Sequence, residues 1–320
     1  MIPRHVLIRC DANETIGLGH AGRSLALGAA LAERFGAVPE VLGRSDPLLA
    51  RFVTRVGYEL LPLLAPGYGT AEVVARVGPG WAVISDSYDL DQDAVVQIAA
   101  SGAMHVAIDD FASVGEWHDA IVVNPNIGSE HLAYAGARVV AAGPAYALLR
   151  PEIARLAGRP RSLAPRGRRL LVCLGGGAWP SESDALLDAL AGTTFEVRAT
   201  FDSDRPEAVP PDTLAEQLEW ADVAIVSGGV VKYEAAAAGL PMVVAAVVPH
   251  QAIVARAFAA ETGAPFGGSL SDVQPSELVA LVERLAADLE TRAALSARAQ
   301  DLVDGRGAQR VAALVEAAEA

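Results

Sequence analysis

Short apolar runs alternate with longer runs of helical spacing from one end of this chain to the other, and few folds accommodate that rhythm. A strand covered on both faces reads as a near-continuous apolar run, and parallel neighbours need a helical crossover between them. The alternation therefore predicts an α/β chain built on parallel sheets. In the first half, segments 5–11, 38–43, 58–63, 81–87, 104–110 and 120–125 read as strands. Helical spacing falls near 21–35, 46–56, 70–78 and 91–101. Asp86, Asp109 and Asn124 each close a strand run, on the edge where open α/β sheets bind ligands.

The rhythm breaks over 149–169, a stretch with three prolines and many arginines that reads as a connection between domains. A second series opens with "LLVCLGGGAWPSES" at 170–183, where a strand again runs into a glycine loop and a helix. Further strands read at 195–201, 222–229 and 241–248, and helical runs near 251–262, 275–287, 289–303 and 306–319 close the chain. The expected domains are 1–150, a linker 151–168, a second domain 169–305 and a C-terminal helix 306–320. Two Rossmann-like domains facing across a ligand-binding cleft are the architecture this predicts.

A chain of 320 residues with 52% hydrophobic content is long enough for one large or two ordinary cores. No apolar run reaches the roughly 18 residues of a membrane span. The apolar run near the N-terminus is too short for a signal peptide, so a cytoplasmic protein is expected. The formal net charge is −14 and Lys232 is the single lysine. Such a chain would repel a phosphate backbone, which disfavours nucleic-acid partners. Small phosphorylated ligands stay compatible, because glycine loops bind phosphate through backbone N–H groups. Cys10 and Cys173 lie in strand runs without metal-ligand spacing and read as reduced, buried thiols.

Two constellations carry candidate chemistry. In "RCDANETIGLGH", Arg9–His20, a strand feeds a glycine turn that opens a helix. Gly17 and Gly19 permit close backbone approach, and a helix N-terminus offers unpaired N–H groups to an anion. The loop lacks the G-x-G-x-x-G dinucleotide pattern. His20 reads either as a helix-start residue bonded to the loop or as a catalytic base. Asp11, Asn13 and Arg23 are its polar company, and an imidazole held by a carboxylate such as Asp11 titrates near neutrality and serves as a general base. In "VSGGVVKYEAAAAGLP", 226–241, Ser227, Gly228 and Gly229 end a strand before a helix bearing Glu234. That arrangement suits a diphosphate on the glycine turn and a ribose on Glu234, or else an ordinary strand–turn–helix.

Weaker features are the Gly175–Gly177 run, the strand-end carboxylates Asp86, Asp91, Asp109 and Asp110, and the Asp202-Ser203-Asp204 turn. The carboxylates read equally as sugar or metal ligands and as helix caps. No Ser-His-Asp elbow, Walker loop or H-E-x-x-H motif is present.

"RCDANETIGLGHAGRSLAL" resembles the opening of the UDP-sugar hydrolases of pseudaminic acid biosynthesis and related spore-coat polysaccharide proteins. The likeness continues through "DSYDLD", "IDDF", "GPAYALLRPE", "ADVAIVSGG", "YEAAAAGLP" and "DGRG". The second half is also similar to the peptidoglycan N-acetylglucosaminyltransferase. These resemblances imply a GT-B fold and a UDP-linked sugar substrate, with neither metal nor cofactor. They place the catalytic histidine on His20, where it would activate water against the anomeric carbon, with Tyr88 beside the sugar. They put Glu234 on the ribose, Ser227, Gly228 and Gly229 at the phosphates, and Gly176, Gly177, His250 and Gln251 along the substrate. The alternatives in view are a GT-B glycosyltransferase and a non-catalytic nucleotide-sugar-binding protein. This chain departs from the hydrolase pattern at Ala178-Trp179, at Val231 in place of Thr, and at His250 in place of Asn.

Overall fold

The computed structural model describes residues 3–13, 16–175, 180–200 and 204–319. Residues 1–150 and 306–320 pack as one compact unit, and residues 151–305 as a second.

The first unit carries β1 (His5–Cys10), β2 (Val38–Gly43), β3 (Glu59–Pro62), β4 (Trp81–Asp86), β5 (Met104–Ile108), β6 (Ile121–Asn124) and β7 (Val139–Ala142). They form one sheet in the order β3-β2-β1-β4-β5-β6-β7, with every pair parallel. The strand period of two sorts side chains between faces. Val6, Ile8 and Cys10 join Leu27 and Leu31 of helix α1 (Gly19–Phe35) and Val311 and Val315 of the helix Gly307–Glu319 in one core. Leu7 joins Val83, Val95 and Ile98 in the core of the other face. Helix α1 ends where Gly36 turns left-handed at φ +64° and its N–H caps Ala32.

The second unit carries β8 (Arg169–Cys173), β9 (Glu196–Thr200), β10 (Ala208–Val209), β11 (Val223–Ser227), β12 (Met242–Ala246) and β13 (Phe266–Ser269). Their order is β10-β9-β8-β11-β12-β13, again parallel. The segment read as a linker belongs to this unit. Pro151–Ala154 is a short helix. Arg161 donates to the carbonyls of Leu218 (2.9 Å), Ala238 (3.1 Å) and Ala221. Its guanidinium thereby serves the carbonyl-rich ends of two helices, where a cation is favoured. Burial pushes Arg161 down to about 10.

Candidate active site

The order of the first sheet reverses between β1 and β4, so the loop after β1 and the end of β4 meet at the switch point of the carboxyl edge. Cys10 and Asp86 are register partners there. Asn13 shapes the loop: its Oδ1 accepts the N–H of Ile16 (2.8 Å) and its carbonyl accepts that of Gly17 (2.7 Å). Gly17 sits at φ +76°, a conformation costly for any residue with a Cβ. Helix α1 then starts at Gly19 with no side-chain cap, which sets His20 in its first turn.

His20 is buried, and its Nδ1 lies 2.9 Å from Asp86 Oδ1, close in distance but not aligned as a hydrogen bond. That leaves Nε2 as the ring nitrogen Asp86 does not engage. Tyr88 meets the imidazole edge-on with ring centroids 4.6 Å apart, and Phe111 lies 6.1 Å beyond it. Burial, with Asp110 nearby, pushes the Tyr88 phenol up to about 12. Burial alone would raise the Asp86 carboxyl, yet Arg23 and then His20 hold it well below the ordinary carboxylate range. Asp86 is therefore a fixed anion beside the imidazole.

The second sheet reverses between β8 and β11, which directs attention to Gly175 and Ser227. The N–H of Gly228 donates to the carbonyl of Ala245 at 2.8 Å. A Cβ on Gly228 would stand 2.8 Å from Ala255 Cβ and 3.1 Å from the Gln251 carbonyl oxygen. Lys232 is fully buried in the helix Val231–Ala237, with Nζ on the carbonyls of Gly228 (2.7 Å) and Gly229 (3.1 Å) and above the Tyr233 ring at 4.0 Å. Glu234 is buried in the same helix. Gln251 opens the helix Gln251–Thr262 and accepts the Val247 N–H at 3.1 Å, while His250 before it is exposed. Among the described residues no group of three or more His, Cys, Asp or Glu side chains could hold a metal ion, and no helix is long and apolar enough to cross a membrane.

Solved structures superpose on both units. The calicheamicin glycosyltransferase CalG4 aligns with a TM-score of 0.63 at 19% identity, over 99% of this chain and 98% of its own. The fold is GT-B.

The GT-B likeness extends to UGT89C1 of Arabidopsis thaliana, solved with UDP-L-rhamnose, at a TM-score of 0.62 and 13% identity over 98% of this chain and 100% of its own. A curated relative, the spore coat polysaccharide biosynthesis protein SpsG of Bacillus subtilis, is 29% identical over 199 residues. That match covers 54% of this chain and 57% of the relative's length. No family model matches the chain.

Within this GT-B chain three of the expected site residues, Asp11, Arg23 and Gly228, are engaged by other groups of the protein. The carboxylate against His20 is Asp86. Asp11 instead pairs with Arg9 (2.9 Å) and Arg44 (3.4 Å) and accepts from Ser87 at 3.2 Å. Arg23 turns its buried guanidinium onto Asp86 and Asp110. Gly228 serves sheet and packing, since its N–H is spent on Ala245 and its missing Cβ admits the helix Gln251–Thr262. Asp109 caps its own turn, accepting from Phe111 (3.0 Å), Ala112 and Ser113, and Asp91 caps the helix Gln92–Ala100. Tyr88 stands beside His20, while Gly176, Gly177, Ala178, Trp179, Asp202 and Ser203 lie outside the described residues. Asp86 was legible as a strand-end carboxylate on the ligand-binding edge, while its pairing with His20 depends on which strand lies across the switch point. Asp110 was legible only as another strand-end carboxylate, and Asn126 and Lys232 gave no such signal.

Proposed function

We propose that this protein transfers a glycosyl group from a nucleoside diphosphate sugar to a hydroxyl acceptor, with His20 as general base. The observation that carries the reading is the His20–Asp86 contact at the switch point of the first sheet. Asp86 favours the tautomer with the proton on Nδ1, which presents the Nε2 lone pair to an acceptor O–H. The acceptor proton passes to Nε2 as its oxygen bonds to the anomeric carbon. The bond from that carbon to the diphosphate oxygen breaks, and its electron pair leaves with the nucleoside diphosphate. Tyr88 borders the sugar, and the loop with Gly17 and Gly19 lies against the reacting groups.

The second unit holds the nucleotide in this proposal. Glu234 takes the ribose hydroxyls, and Ser227 and Gly229 with Gln251 and His250 take the phosphates. A UDP-linked donor is favoured by the family resemblance of the motifs and by the UDP-L-rhamnose bound to UGT89C1. Transfer is favoured over hydrolysis by the whole-length likeness to glycosyltransferases. Hydrolysis, with water in place of the acceptor, is the second reading, on the match of "IGLGHAGR" to the hydrolase opening.

The test is to incubate the protein with a panel of UDP- and dTDP-sugars, with and without acceptor alcohols, and to quantify nucleoside diphosphate. Acceptor-dependent release that H20A abolishes is expected. Equal release without any acceptor replaces transfer with hydrolysis. H20A turnover at the native rate removes the base assignment.

A further inference from the structure

We propose that Arg23 is a positioning residue that locks the Asp86 carboxylate against His20, and that Asp110 sets how much of the Arg23 charge reaches that pair. The inference rests on His20 being the base, and it adds the residues that place and tune it.

Arg23 lies one turn after His20 on α1 and is 5% exposed. Its Nε and Nη2 donate to the two Asp86 oxygens at 2.7 and 2.8 Å, a bidentate fork. On its other side Nη1 and Nη2 donate to the two Asp110 oxygens at 3.0 and 2.9 Å. Ser24 Oγ adds a 2.9 Å hydrogen bond to Asp86 Oδ2. Asp86 therefore meets His20 and Arg23 at Oδ1, and Arg23 and Ser24 at Oδ2, so its carboxylate cannot rotate without breaking several contacts. Asp110 is anchored in turn by Asn126 Nδ2 at 2.9 Å, which also reaches Asn124 Oδ1 at 3.0 Å. Helix α1 and the ends of β4, β5 and β6 thus converge on one guanidinium.

The charge balance makes the device more than a brace. Two carboxylates and one guanidinium leave a net negative charge, which a proton on His20 neutralises. Removing the Asp110 charge withdraws that attraction and turns the Arg23 charge more fully on Asp86, so His20 holds its proton less well. Removing Arg23 does the reverse. The other titratable described groups around the pair are Tyr88, edge-on to the ring, Cys10 beside Asp86, and Asp11, which is committed to Arg9 and Arg44. None of them changes in these variants. Lysine cannot replace Arg23, because an ammonium has three donors and no planar fork, against the four hydrogen bonds the guanidinium makes to the two carboxylates.

The experiment reads His20 itself. Long-range proton–nitrogen NMR spectra of the imidazoles, with His20 assigned by its loss in H20Q, are recorded across pH for native protein, D110N, R23K and R23Q. The His20 titration midpoint is expected to fall by about one pH unit in D110N and to rise in R23Q, the scale of one nearby charge at intermediate dielectric. R23K is expected to lower the Nδ1–H tautomer fraction. No movement in D110N, or movement of D110N and R23Q in the same direction, overturns the proposal. D110N is nearly isosteric and carries the test alone if R23Q fails to fold. The spectra need no substrate. A protein inactive on every nucleotide sugar with these shifts present would refute the proposed activity and leave the network standing, while an active enzyme without them would do the opposite.

Discussion

Asp86→Asn is the sharpest perturbation of the dyad, because it keeps the shape and deletes the charge. Asparagine has one acceptor oxygen, and Asp86 now meets His20 and Arg23 at Oδ1, and Arg23 and Ser24 at Oδ2. If the amide oxygen faces His20, its NH2 points at the Nε of Arg23, donor against donor at a distance now 2.7 Å. If the amide flips, its NH2 faces Nδ1 and drives the imidazole proton to Nε2, where the base is needed. The flipped amide takes away the free Nε2 lone pair, and the unflipped one leaves the protonated imidazole without the carboxylate charge that stabilises it. General base catalysis supplies roughly a hundredfold to ten-thousandfold, so kcat is expected to fall by that factor, about 2.7 to 5.4 kcal/mol in barrier. Breaking the buried pair on one side costs about 3 kcal/mol of stability, tempered because Arg23 keeps Asp110. The assay is kcat at saturating donor and acceptor, with nucleotide affinity as control and H20A and the double variant alongside. Residues that act as a unit are non-additive, so the double variant should be no slower than H20A. A D86N enzyme within about threefold of native kcat would refute the reasoning, since a general base contributes far more than that. So would a double variant slowed by the product of the single effects.

Two further predictions concern the frame around the site. Burial pushes His105 down to about 4, so between that value and the ordinary histidine range the unfolded chain binds a proton that the native protein does not. Native stability therefore falls as pH drops through this window, by up to about 3 kcal/mol, and H105Q should flatten the slope in urea titrations; an unchanged slope would place the loss elsewhere. Gly228→Ala would push a methyl to 2.8 Å from Ala255 Cβ and 3.1 Å from the Gln251 carbonyl oxygen. A loss of about 1–3 kcal/mol is expected by thermal or urea unfolding, and native-like stability would show that the helix Gln251–Thr262 shifts freely.

Legibility in the sequence followed the range of the interaction. The runs 5–11, 81–87 and 222–229 stand out because both faces of those strands are buried, and β1, β4 and β11 lie inside them. β7, β10 and β13 were not readable. "FGGS" has no apolar run, "VVAA" is four residues in an alanine- and glycine-rich stretch, and β10 is two residues long. Each depends on a neighbouring strand to exist. His20 was readable as a candidate because the glycine turn and helix start are local features of consecutive residues. Arg161 looked like linker composition, yet it holds two helix ends through carbonyls far away in the chain.

The sequence by itself determined the kind of element at most positions, the two α/β series and the placing of His20 at a strand–helix turn, since hydrophobic period and glycine geometry act over a few residues. Only the tertiary structure decided which carboxylate serves that histidine. Asp11 is nine residues from His20 and Asp86 is sixty-six, so sequence distance favours the wrong one. The parallel pairing of β1 with β4 puts Asp86 beside the loop, and the buried Arg9 draws Asp11 away. A strand's register and the competition between buried cations for carboxylates are long-range quantities, and no window along the chain contains them.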